Sequence, residues 1–296
     1  MQRKLRIGTR GSKLALWQTE KVKGILLAAF PELPIEVITY KTLGDRHPEL
    51  NLLQNQGKGV FCSEIEQALL NREIELAVHS VKDLPGELPE GLMLVAYLER
   101  EDPREVLIGW DGQTLENLVP GAVVGTSSIR RLLQLKRLRP DLEFAPIRGN
   151  VETRIRKVRE GQYAATILAL AGVRRIGLEE YISQTFELNE IIPAPGQGCI
   201  GIEICTADFK LQEMLHNLNH NTTEIAVRAE RAFLRRMGGN CESASGAYAR
   251  WVDGQIEMIG MYGRNAQNIV VKTIAGPAGE AEALGVHLAE GLLNFA

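Results

Sequence analysis

The sequence predicts an α/β protein that ends in a smaller α+β module. Three observations carry this. Across the first two thirds of the chain, short apolar strands alternate with stretches of helical period, the pattern of βαβ units. From about residue 222 a long helical run is followed by three strands and a last helix. The 296 residues also exceed what one hydrophobic core usually serves.

The elements follow in order. Leu5 and Ile7 alternate with charged residues, and Arg10-Gly11-Ser12 breaks the strand. Leu14, Trp17, Val22, Ile25 and Ala29 then recur at helical spacing. Residues 35–40 read as a second strand, 63–71 as a helix, and 75–79 as a short strand running into Ser80-Val81-Lys82-Asp83. This alternation predicts parallel pairing. A second unit begins near Arg100, with strands at 106–109 and 122–125. Thr126-Ser127-Ser128 then opens an arginine-rich helix. Residues 144–148 are extended, Asn150 caps a helix ending at Gly161, and 164–170 read as a buried strand. Pro193-Ala194-Pro195-Gly196-Gln197-Gly198 has the composition of a hinge, after which residues 200–204 return to the first unit as a strand. Helix 222–237 stops at Gly238-Gly239-Asn240. Strands follow at 247–251, 255–261 and 269–274, with Asp253-Gly254 as a hairpin turn and a helix at 280–293. The implied domains are 1–99 with return segment 199–218, then 100–198, then 219–296.

Composition narrows the function. A net charge of -3 argues against chain-wide affinity for nucleic acid or anionic membrane. No apolar run has the length of a membrane span, and residues 1–10 lack a secretory pattern. The four cysteines (Cys62, Cys199, Cys205, Cys241) form no CxxC pair, which suits a reducing cytoplasm and leaves no metal site expected.

Against that balance, residues 126–159 hold ten basic residues and three acids. Arg130, Arg131, Arg148 and Arg154 stand at strand-to-helix junctions, where α/β folds bind ligands and where helix N-termini favour anions. Their planar forks suit carboxylates. Lys136, Arg137, Arg139, Arg156, Lys157 and Arg159 read as a solvated face. Asp83, beside Lys82 at a strand end, is placed either to stabilise positive charge and move a proton or to form a loop salt bridge. His79 reads as a packed histidine. Cys241, after a glycine-rich break, is either a covalent attachment point or an unreactive thiol. Glu213, His216 and His220 fit a surface helix face better than a metal site, and Gly57-Lys58-Gly59 reads as a flexible loop.

In combination these segments resemble the porphobilinogen deaminase (hydroxymethylbilane synthase) family over nearly the whole chain. The resemblance rests on Arg6-Ile7-Gly8-Thr9-Arg10 with Ser12 and Leu14-Ala15-Leu16-Trp17-Gln18, Gly57-Lys58-Gly59-Val60-Phe61, Ala77-Val78-His79-Ser80-Val81-Lys82-Asp83-Leu84-Pro85, and Glu99-Arg100-Glu101-Asp102-Pro103-Arg104. It continues through Gly125-Thr126-Ser127-Ser128-Ile129-Arg130-Arg131, Ile147-Arg148-Gly149-Asn150-Val151 with Thr153-Arg154, Gly196-Gln197-Gly198, and Glu230-Arg231-Ala232-Phe233-Leu234. The resemblance implies two periplasmic-binding-protein-like α/β domains around a cleft plus a small C-terminal α+β domain. It implies a cytoplasmic, monomeric transferase of tetrapyrrole (heme) biosynthesis that joins four porphobilinogen units, with loss of ammonia, into hydroxymethylbilane. The chain grows on a dipyrromethane cofactor held by a thioether to Cys241. Asp83 matches the catalytic aspartate, which stabilises the cationic character of the azafulvene formed as ammonia leaves. By motif position Arg10, Ser12, Lys82, Thr126, Ser128, Arg130, Arg131, Arg148 and Arg154 line the site, with Arg175 and Gln197 as further contacts.

Two places depart from the family pattern. Asn240, Ala244 and Ser245 replace residues of the cysteine loop, and Cys205 stands where arginine is common, so one carboxylate contact is expected to be missing or supplied elsewhere. The competing readings are a non-catalytic sensor of an anionic small molecule with the same fold, and a nucleic-acid-binding protein using the arginine-rich segment. Pairing Asp83 and Lys82 with Cys241 opposes the first, and a lone aromatic, Phe144, in the basic stretch opposes the second.

Overall fold

Polar caps start the three helices that border the cleft. Ser12, Ser128 and Asn150 each accept a hydrogen bond from the backbone N–H three residues on (Ala15, Arg131 and Thr153), so each helix begins where its strand ends. The structure is a computed structural model and describes residues 4–46, 62–238 and 244–294, apart from the side chain of Asp45. The Gly57-Lys58-Gly59 loop and Cys241 lie outside the described residues.

In chain order the first elements are β1 (Leu5–Arg10), α1 (Lys13–Ala29), β2 (Ile35–Tyr40), α2 (Leu43–Arg46), α3 (Ser63–Leu70), β3 (Leu76–Ser80) and β4 (Leu92–Tyr97). Then come β5 (Glu105–Gly109), β6 (Val123–Gly125), α4 (Ile129–Leu138), β7 (Glu143–Ala145), α5 (Val151–Arg159), β8 (Ala165–Ala169), α6 (Leu170–Arg175) and β9 (Gln184–Thr185). The chain continues with β10 (Ile200–Cys205), α7 (Phe209–His216), α8 (Asn221–Arg236), β11 (Ser245–Val252), β12 (Gln255–Gly263), β13 (Ile269–Pro277) and α9 (Ala281–Leu293).

The strands form three sheets, ordered β2-β1-β3-β10-β4, β7-β6-β8-β5-β9 and β11-β12-β13. The first two define two α/β lobes, and the third is the sheet of a small α+β module. Pairing departs from the all-parallel expectation. β1 is parallel to β2 and β3, and β6 to β7 and β8, but β10 runs antiparallel to β3 and β4, and β5 antiparallel to β8 and β9. The physical reason is connectivity: β5 and β10 arrive from the other lobe rather than through a helix crossover, so no right-handed βαβ unit sets their direction.

Each unit has its own core. In lobe 1, Val22 and Leu26 of α1 pack on Leu5, Ile7, Val78, Ile202 and Ile204. In lobe 2, Leu107, Val124, Leu135, Ile167 and Phe186 do the same. In the C-terminal module, Phe233 of α8 is enclosed by Ala249, Ile256, Met258, Leu284 and Leu288. The β11–β12 turn has Asp253 at φ 48° and Gly254 at φ 84°. Two consecutive positive φ values match the twist of a two-residue hairpin, and aspartate and glycine tolerate them.

Two segments cross between the lobes, and Glu230 of α8 ties them to the module. Its carboxylate accepts from both terminal nitrogens of Arg100, from Gly196 N at 2.6 Å and from Ala249 N at 2.7 Å. Arg100 Nε also donates to Gln197 O at 2.8 Å.

Candidate active site

The end of β3 enters a short 3-10 turn, Val81–Asp83, which carries Lys82 and Asp83 toward lobe 2. Asp83 lines a pocket with Arg10, Ser12, Leu14, Gln18, Cys62 and Ser80. Gln18 of α1 fixes that wall, donating through Nε2 to Ser80 Oγ at 2.8 Å. From lobe 2 come Arg148, Arg154 and the start of α4. Gly149 lets the chain turn between them: its φ is 114°, and a Cβ there would lie 2.6 Å from Thr153 Cγ2.

The electrostatics join the two lobes. Burial holds the Lys82 ammonium well below its ordinary value, to about 8, with Arg131 and Arg130 adding to the shift against Asp83 and Glu105. Burial likewise pulls Arg154 down to about 10, helped by Arg131 and Arg148 and opposed by Asp83. Arg131 therefore acts on both Lys82 and Arg154, and Asp83 is the lobe 1 carboxylate that opposes both shifts.

Some predicted contacts have protein partners. Arg130 donates to Glu105 Oε1 at 2.7 Å and to Ile192 O at 2.7 Å. Arg131 reaches both Glu105 oxygens, at 3.0 and 2.8 Å, and Ile167 O at 3.1 Å. Burial alone would raise Glu105; Arg131 and Arg130 overcome it and hold the carboxyl at about 2. The two forks that the sequence assigns to a ligand thus first close an internal ion triad. A guanidinium has five N–H donors, so three bonds at Arg131 leave two. Arg175 donates to Gly198 O at 2.6 Å and lies over the Trp17 ring, 5.9 Å from its centroid. Gln197 is fully buried, accepting from Lys82 Nζ at 3.2 Å and donating to Pro103 O at 2.7 Å. Thr126 is buried, and its Oγ1 accepts from Ser128 N.

The expectation for Cys205 is corrected. It sits at the far end of β10, opposite Leu92, buried among Ile65, Leu69 and Ile74, with its Sγ 3.1 Å from Leu69 O. An antiparallel β10 puts residue 205 at the N-terminal end of β3, away from Asp83, so no carboxylate contact is lost there. His79 is packed as expected, its Nε2 2.9 Å from Glu203 Oε2. Sequence reasoning missed Glu105, Glu203 and Gln18. Glu105 and Glu203 each carry a signal, a lone acid in an otherwise apolar strand; Gln18 carries none.

Residues 5–213 match the family described as "Porphobilinogen deaminase, dipyromethane cofactor binding domain", and residues 224–294 match "Porphobilinogen deaminase, C-terminal domain". Curated porphobilinogen deaminases are similar over almost the full length. That of Syntrophomonas wolfei is 44% identical, covering 99% of this chain and 96% of the relative. That of Geobacter sulfurreducens is 45% identical, covering 98% and 91%. The chain belongs to the porphobilinogen deaminase family. A solved Bordetella pertussis BvgS VFT2 domain superposes with a TM-score of 0.44 and 13% identity, over 72% of this chain and 85% of that one.

Membership in the porphobilinogen deaminase family brings a dipyrromethane cofactor, a group rich in carboxylates. The donor set fits it. Burial first, then neighbouring arginines, lower Lys82 and Arg154, and anions placed among them would offset that repulsion. Among the described residues no cluster of His, Cys, Asp and Glu could hold a metal ion.

Proposed function

We propose that the chain performs the stepwise head-to-tail condensation of four porphobilinogen molecules, releasing ammonia and giving hydroxymethylbilane, with its dipyrromethane attached through Cys241. The observation that carries the reading is Asp83 in one pocket with Arg10 and Ser12, facing the cations of lobe 2. When bound, the dipyrromethane supplies the primer on which the pyrrole chain is built. Thr126, Ser128, Arg130, Arg131, Arg148, Arg154, Lys82 and Ser12 hold its carboxylates. Arg10, Arg148, Arg154, Arg175 and Gln197 orient those of the incoming porphobilinogen.

Asp83 does the chemical work. As ammonia leaves the substrate's aminomethyl carbon, positive charge develops across the pyrrole ring. An ionised carboxylate at the ring N–H stabilises that charge without reorganising and can take a proton from it. Lys82, near 8, is largely protonated at neutral pH and remains a cation for a dipyrromethane carboxylate. The Glu105 triad keeps the α4 N-terminus in place beside it.

The division into 1–99 with 199–218, 100–198 and 219–296 belongs to this reading, as do a monomeric state, a cytoplasmic setting, and partners that include neither nucleic acid nor membrane. Supporting the setting, Cys62, Cys199 and Cys205 are free and buried. Among the described residues no helix is long and apolar enough to cross a membrane.

The test is the denatured intact mass of protein made in cells that synthesise porphobilinogen, beside Cys241→Ser. An excess of two linked pyrroles, absent in the variant, is expected. An unmodified parent that added porphobilinogen also fails to modify would overturn the assignment.

A further inference from the structure

Behind the pocket wall, lobe 1 buries two carboxylates that the mechanism above does not use. Glu203 of β10 is 0% exposed: its Oε2 meets His79, and its Oε1 has no hydrogen-bond partner among the described residues. Glu66 of α3 is 5% exposed, and its Oε1 likewise has no partner among the described residues. Neither forms an ion pair with a lysine or arginine among the described residues. Cys62, at the N-terminus of α3, places its thiol against Glu66, and Cys62 and His79 line the pocket that holds Asp83.

A carboxylate oxygen cut off from water and from any donor is costly, and two such carboxylates acting on each other cost more when both are ionised. A single proton removes most of that cost. We infer that Glu66, buried beside Glu203 with an unpartnered oxygen, holds a proton, and that it is a titrating element behind the wall of the Asp83 pocket. His79 Nε2 lies 2.9 Å from Glu203 Oε2. Burial, then the neighbouring Glu203, push Glu66 above its ordinary value, opposed by Cys62 and His79. The elements packed against α3 are β1, β3, β4 and β10, whose titratable side chains are Arg6 and Arg10, His79, Tyr97, and Glu203 and Cys205.

The consequence is a change of one unit of charge beside Asp83 as Glu66 loses its proton. That link to turnover rests on the proposed role of Asp83; the proton itself does not. The sign follows from linkage. A carboxyl raised in the folded state contributes stability that is fully present below its unfolded value and is lost as pH rises through the folded value.

The experiment compares the parent with Glu66→Gln, both carrying the cofactor by intact mass, in melting temperature and kcat between pH 4 and pH 8. Glutamine copies the neutral acid at every pH. The two should melt together at pH 4, with the variant melting about 2–4 °C higher at pH 8. The parent's kcat profile should carry an inflection in that window that the variant lacks. A melting gap that does not open with pH overturns the proton on Glu66. A gap that opens while the inflection survives in the variant overturns its coupling to Asp83. Near-normal turnover in Asp83→Asn would sink the reading of Asp83 and leave the melting gap untouched. Should Glu66→Gln fail to fold, Glu203→Gln removes the neighbour that raises Glu66 and should flatten the same pH slope.

Discussion

The two lobes share one strand plan and use it differently. Each has three parallel strands, then an antiparallel strand delivered from the other lobe, then an edge strand. Each delivered strand carries a fully buried glutamate, Glu203 in β10 and Glu105 in β5. Lobe 1 gives its glutamate a histidine, while lobe 2 gives its glutamate two arginines. The arginine triad is locked in its charged form and anchors the first turn of α4. The histidine pair leaves one carboxylate oxygen without a donor and so leaves room for a titration. The same topology thus supplies a fixed electrostatic post on one side of the cleft and an adjustable one on the other.

The sharpest way to break this contrast is to delete the fixed post. Glu105→Ala strands two buried guanidiniums and should lose about 3–5 kcal/mol in urea unfolding. A loss under about 1 kcal/mol, within the range of an exposed pair, would mean that water reaches both arginines. Next is Asp83→Asn, expected to lower kcat at least about a hundredfold while the melting temperature holds. Arg148→Ala, which touches neither post, should also cut turnover severely without unfolding the chain, and a normal rate would remove Arg148 from the site.

Smaller effects sharpen the pH side. Glu105 is held near 2, so its contribution to stability is present above its unfolded value of 4.5 and is lost as pH falls from there toward 2. Acid unfolding of the parent should therefore steepen below about pH 4.5, measured by circular dichroism. On the alkaline side, kcat should fall as pH passes about 8 and Lys82 loses its charge. Lys82→Arg should move that fall upward. The smallest change is Lys13→Ala. Lys13 of lobe 1 pairs with Glu152 of lobe 2 at 3.3 Å, but both are well exposed. Its loss should cost less than about 1 kcal/mol.

Much of the fold was legible because local chemistry decided it. Ser12, Ser128 and Asn150 announce their helices, and Asp253-Gly254 announces its turn. The direction of β5 and β10 was not legible, since it depends on pairing between segments far apart in the chain. The apolar run 164–175 hid the switch from β8 to α6, because a fully buried strand and a buried helix lack a distinguishing period. At the site, the density of arginines was visible, but not what faces each one. Nothing near Arg130 and Arg131 in the chain points to Glu105, and nothing near Glu66 points to Glu203. Cys205 misled for the same reason: its place along the strand was clear, and the end of the sheet it reached was not.

The delivered strands also set which sheet can be completed first during synthesis. All five strands of the second sheet fall within residues 105–185, one continuous stretch. The first sheet needs β10, which pairs with both β3 and β4 and is translated only after that stretch. During synthesis lobe 2 can therefore close while lobe 1 still presents two open strand edges at its centre. Lobe 1, which carries Asp83, is completed by a strand translated after the last strand of lobe 2. The catalytic half of the cleft is thus the one whose sheet depends on the later-made segment.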